Sequence, residues 1–126
     1  MQRVSMANGQ ERGTATEQEI AELRRIIDGG LVRSLYQPIV DARTCAILGY
    51  EALSRGPSGS VLESAGDLFS VAAQCELSAA LDRECLRASI RGFAAAGALG
   101  RLFVNLTPAG LFDTGHDLVD LERLLE

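Results

Sequence analysis

The chain has 126 residues, 47% of them hydrophobic, enough for one ordinary core and too few for two, so one domain or part of one is expected. A net charge of −5, an isoelectric point near 4.9, scattered arginines and no lysine exclude general electrostatic binding to a nucleic-acid polymer; an anionic ligand would need a local positive centre. The N-terminus has no apolar signal region and no run approaches the roughly 20 apolar residues of a membrane span, so a soluble, cytoplasmic protein is expected.

Residues 1–15 are polar and poor in β-branched and aromatic side chains, which predicts a mobile tail or tag, with residues 16–126 forming the folded part. In TEQEIAELRRIIDGG, Thr16 and Glu19 have capping-box spacing, Ile20, Leu23, Ile26 and Ile27 form an apolar stripe, and Gly29-Gly30 supplies a left-handed stop: a first helix. LVRSLYQPIVDARTCAILGYEALSRG reads as two strands joined by a polar turn around 41–44, an antiparallel hairpin with Pro38 at an edge or bulge.

After the loop GPSGSVLES, Ser64 and Asp67 start a helical stretch to about Ala96, with the polar CELS marking a bend or a junction between two helices. RLFVNLTP is a short β-rich segment and predicts a strand. Thr107-Pro108 follows as N-cap and first residue of another helical turn, and Thr114 with Asp117 opens a final helix. A strand, a long helical stretch and a further strand predict a parallel pair with a crossover, hence an α/β fold.

Two stretches combine apolar strand character with polar groups. In GYEALSRGP, alternation puts Glu51, Leu53 and Arg55 on one face; in RLFVNLTP it puts Phe103, Asn105 and Thr107 on one face. Ionised groups are costly in a core strand unless paired or metal-bound, and the ends of parallel strands are where α/β folds assemble their sites, so both polar sets are expected to meet in one mouth. The bland alternatives are a Glu51–Arg55 surface pair and a buried, satisfied Asn105 amide. Cys45, Cys75 and Cys85 lack Cys-x-x-Cys spacing and are expected as buried, reduced thiols. His116, the single histidine, is expected to be solvated, and the Gly-Ser loop to be a plain connection, since it carries no P-loop lysine.

YQPIVD, GYEALSRGP and FVNLTP, in this order and with a long helix before the last, resemble the opening half of an EAL domain, the family of cyclic-di-GMP phosphodiesterases. The resemblance implies a partial (β/α)8 TIM-like barrel whose first strand is antiparallel to the others and whose second half is missing. It implies metal-dependent hydrolysis of cyclic di-GMP to linear pGpG in bacterial second-messenger signalling, with Mg²⁺ or Mn²⁺ as cofactor of the complete domain. Glu51 and Asn105 would be metal ligands, Arg55 would pair with a ligand phosphate, Leu53 would line the site under the nucleotide, and Gln37 would contribute a hydrogen bond to the ligand. The downstream glutamates, Asp-Asp pair and lysine of the family do not occur here, so no complete catalytic set is expected and the chain alone should be inactive, with metal binding weak or absent. The alternative is a non-catalytic nucleotide-binding or dimerisation module. An unpaired third-strand edge predicts an oligomer or a partner that covers it.

Overall fold

A computed structural model of the chain describes residues 12–113, the side chains of 111–113 aside. The expected helix after Thr114 and the expected surroundings of His116 lie outside the described residues. Helix α1 spans Glu17–Gly29 and starts as its capping box requires: the Thr16 hydroxyl accepts from Glu19 N at 3.2 Å and Thr16 N donates to the Glu19 carboxylate at 2.8 Å. It stops at Gly30, whose φ of 60° is the left-handed conformation that glycine adopts without a Cβ clash. Of the expected tail, residues 12–15 are described: the Arg12 guanidinium pairs with Glu19 and Asp67, and Ala15 N donates to the Gln74 side chain.

Strands β1 (Arg33–Val40) and β2 (Ile47–Arg55) form the expected antiparallel hairpin, with an irregularity in register at Ile39/Val40, just after Pro38. Its turn is closed by Asp41, whose carboxylate accepts from Arg43 N and Thr44 N, and by Cys45 at φ 58°. Cys45 is therefore exposed, which corrects the expectation of three buried thiols; it serves the turn, not the core. Cys85 is buried, Cys75 partly so, and all three are free.

The helical stretch divides into α2 (Ala65–Gln74) and α3 (Ser78–Ala95), because Glu76 adopts φ 58° and Leu77 N turns back to Ala72 O at 2.9 Å. Ser64 caps α2, accepting from Asp67 N and donating to the Asp67 carboxylate. Strand β3 pairs parallel with β2, giving the sheet order β1-β2-β3. β3 is shorter than expected: the ladder covers only Arg101–Phe103, and Val104–Thr107 leave it before helix α4, Pro108–Asp113. The departure has a physical cause, since Asp82 of α3 draws in Thr107 N at 3.1 Å, off the line of the strand.

The core lies among the helices. Leu23 and Ile26 of α1, Leu62 of the loop, Leu68 and Val71 of α2 and Leu81 of α3 are fully buried, each stabilising by about 1.5–3 kcal/mol relative to exposure. α3 covers one face of the sheet: the Tyr36 hydroxyl donates to Ser89 O at 2.7 Å, and the rings of Tyr36 and Tyr50 each lie 5.9 Å from Phe93. The opposite face carries the odd-numbered residues of both strands. Among the described residues it remains open, with Leu35 and Phe103 each nearly half exposed.

Candidate functional site

The antiparallel register sets Gln37 opposite Glu51, Leu35 opposite Leu53, and Arg33 opposite Arg55 on that open face. The parallel register sets Phe103 beside Glu51, and Asn105 follows two residues further on. Gly49 makes this possible, because a Cβ there would fall 2.6 Å from Arg101 O and 2.8 Å from the Phe103 ring. The expected convergence is present: Asn105 Nδ2 donates to Glu51 Oε1 at 3.0 Å. At the end of β3 a cleft of about 100 Å³ is lined by Leu53, Arg55, Phe69, Val104 and Asn105 among others. The five residues singled out in the sequence thus occupy one region of one sheet, Asn105 from just beyond its strand and not from within it.

Electrostatics separate the two arginines of this face. Arg33 Nε donates to Gly56 O at 2.9 Å and its guanidinium lies 3.5 Å from the Glu63 carboxylate, so it is engaged in fixing the loop. Arg55 donates to Ser54 O at 2.7 Å, and among the described residues it pairs with no carboxylate. The bland Glu51–Arg55 pair is therefore not formed. Glu51 is held by an amide, and among the described residues no carboxylate neutralises the Arg55 charge.

A cation needs more than this pair supplies. Mg²⁺ asks for six oxygens in octahedral geometry, whereas Glu51 offers a carboxylate and Asn105 an amide whose N–H points at that carboxylate. Among the described residues no cluster of three or more His, Cys, Asp or Glu is placed to hold a metal ion. Glu51 and Asn105 do not by themselves fit a resident Mg²⁺ or Mn²⁺.

A larger, shallow hollow of about 530 Å³ lies between α1 and the Gly-Ser loop, lined by Gln18, Glu22, Arg25, Pro57, Gly59 and Ser60. Its charges are already paired: Arg25 forks onto Glu22 through Nε at 2.9 Å and Nη2 at 2.7 Å, and the Ser60 hydroxyl donates to Glu22 at 2.8 Å. This suits a structural connection better than a phosphate cradle. The same bonds, Arg25 first and Ser60 second, push the Glu22 carboxyl down to about 2 from its ordinary 4.5. A depressed folded-state value adds stability in full above 4.5 that is lost as pH falls through about 2. Thermal unfolding followed from pH 5 downward should show a falling midpoint over that window, with a smaller fall in Glu22→Gln; equal falls would mean that the contact is too solvent-screened to matter.

The family model described as the EAL domain matches residues 20–125. The chain belongs to the EAL domain family. Similar solved structures include the FimX EAL domain of Pseudomonas aeruginosa bound to c-di-GMP, at 27% identity and a TM-score of 0.68, covering 86% of this chain and 46% of that one. Another FimX EAL domain shares 29% identity at a TM-score of 0.66, covering 88% and 46%. The Xanthomonas citri FimX EAL domain in complex with c-diGMP superposes at a TM-score of 0.71 over 86% and 43%; at 21% identity it shows the fold alone. Among curated proteins no match is found. The chain spans less than half the length of these solved EAL domains, so the partial TIM-like barrel is the fold shown. Among the described residues no helix is long and apolar enough to cross a membrane.

Three contributors escape sequence reading. Asp82 and Phe69 are brought to the site by α3 and α2 over long sequence separations, and Arg12 joins the starts of α1 and α2 from within the expected tail. No local pattern in the sequence marks any of them.

Proposed function

We propose that this chain carries the N-terminal part of a cyclic-di-GMP site, in which Arg55 takes a phosphate, Leu53 lines the base or sugar, and Gln37 donates to the ligand from the neighbouring strand. The observation that carries this reading is the Asn105–Glu51 contact at 3.0 Å beside an arginine with no carboxylate partner among the described residues. A guanidinium fork matches two phosphate oxygens, and in a protein of net charge −5 it supplies the local positive centre that an anionic nucleotide needs. The Pseudomonas aeruginosa FimX EAL domain with c-di-GMP bound supports the same ligand.

In a complete barrel, the proposed activity is metal-dependent hydrolysis of cyclic di-GMP to pGpG, with Glu51 and Asn105 as two of the oxygen ligands of Mg²⁺ or Mn²⁺. The other ligands would have to come from beyond residues 12–113. This chain alone is proposed to bind without useful turnover. Its open sheet face and outer strand β3 would be covered by the rest of a barrel, a second copy or a partner.

Calorimetric titration with cyclic di-GMP, with and without Mg²⁺ or Mn²⁺, tests this. Binding heat that changes little on adding the cation, with no pGpG formed, is the expected result. No heat under either condition would reduce the site to inherited scaffold, and turnover by the chain alone would overturn the division between binding and catalysis.

A further inference from the structure

Asp82 is a carboxylate in the second turn of α3, only 2% exposed. Its Oδ2 accepts from Thr107 N at 3.1 Å and from the Thr107 hydroxyl, while among the described residues Oδ1 has no partner. A buried carboxylate with one oxygen unpaired is a cost to the fold, so its use must lie in what it holds. It holds the chain two residues past Asn105. Thr107 Oγ1 in turn accepts from Gly110 N at 3.2 Å, and Gly110 is small because a Cβ there would fall 2.2 Å from Asp82 Oδ2.

Val104, Asn105 and Leu106 are exposed, and the β2–β3 ladder ends at the Glu51–Phe103 pair. The place of Asn105 is therefore fixed by its two flanking anchors, Phe103 in the ladder and Thr107 on Asp82. Four residues of extended chain span at most about 14 Å, and releasing one end lets the amide wander over several ångströms. We propose that Asp82 is a positioning residue for Asn105: through Thr107 it holds the amide against Glu51. The proposal rests on reading Glu51 and Asn105 as part of the nucleotide site, and it is tested separately from that reading.

The first test uses the side-chain amide signals of Asn105 in ¹⁵N spectra of the full chain, assigned by their loss in Asn105→Ala. Asp82→Ala is expected to move them to the position seen in Glu51→Ala, Thr107→Val to move them part of the way, and Asp82→Asn, which keeps an oxygen acceptor, to leave them near the wild-type position. Should Asp82→Ala fail to fold, Thr107→Val decides. Unmoved Asn105 signals in these variants, alongside a lowered unfolding temperature, would show a merely structural role and overturn the proposal.

The second test is a cycle in cyclic-di-GMP affinity. Whatever affinity Asp82→Ala loses in the wild-type background, it should lose none in Asn105→Ala. Equal losses in both backgrounds would overturn the proposal. If the wild-type chain does not bind cyclic di-GMP at all, the functional reading fails, and the amide signals still decide whether Asp82 positions Asn105.

Discussion

Arg55→Ala is expected to weaken cyclic-di-GMP binding by roughly 10- to 100-fold, since a charge-assisted hydrogen bond to an anion contributes about 1.5–3 kcal/mol and each 1.4 kcal/mol is a factor of ten. Within the described chain the Arg55 side chain donates to Ser54 O alone. Its removal should therefore leave the unfolding midpoint almost unchanged, within about 0.5 kcal/mol of stability. Arg55→Lys should fall between the two, retaining the charge and losing the two-pronged fork. Raising salt should weaken the wild type more than Arg55→Ala, because the variant lacks the charge being screened. Titrations that give equal affinities for wild type and Arg55→Ala would remove the phosphate from this end of β2.

The contrast with Arg33 shows why such a charge is informative. Both arginines lie on the same face, paired in register across the hairpin, yet Arg33 is drawn to Gly56 O and Glu63. Sequence alternation places both on that face, and only the folded loop reveals which one is engaged. The same division runs through the rest of the molecule. The start and stop of α1 were legible because Thr16, Glu19 and Gly30 act within a few residues of one another. The faces of β1 and β2 were legible because the period of a strand is fixed at two. The length of β3 was not, because Val104–Thr107 have strand-like composition but are turned away by Asp82, 25 residues earlier in the chain. Cys45 departs from its expected burial for a related reason. Its apolar neighbours suggested burial, whereas the hairpin turn needed a residue with positive φ at that point. Local chemistry fixes elements and faces; contacts between distant segments decide where a strand ends and which polar group is engaged within the fold.

Gly56→Ala should be the most damaging glycine-to-alanine change among the described residues. The glycine follows Arg55 directly, and a Cβ on it would fall 2.0 Å from Leu62 O and 2.9 Å from Leu62 C. These are backbone atoms, so no side-chain rotation relieves the clash. The same crossing holds two hydrogen bonds, Gly56 N to Glu63 O at 2.8 Å and Arg33 Nε to Gly56 O at 2.9 Å, and it seats Leu62, fully buried in the helical core. Overpacking of this kind costs about 1–3 kcal/mol and each lost bond about 0.5–1.5 kcal/mol, so a loss of about 3 kcal/mol or more is expected. Against a total stability of about 5–15 kcal/mol that is a large share, and the unfolding midpoint should drop by roughly 10 °C or more. Gly66→Ala provides the contrast. Gly66 is exposed in the first turn of α2, where a Cβ meets no atom closer than 4.0 Å, and the substitution should hold or raise the midpoint because alanine favours helix by up to about 1 kcal/mol. Since the crossing at Gly56 also fixes the end of the strand bearing Arg55, Gly56→Ala should lose cyclic-di-GMP affinity even at temperatures where it remains folded. A melting curve for Gly56→Ala that overlays the wild type would mean that the loop does not pass beneath the end of β2 as the structure shows.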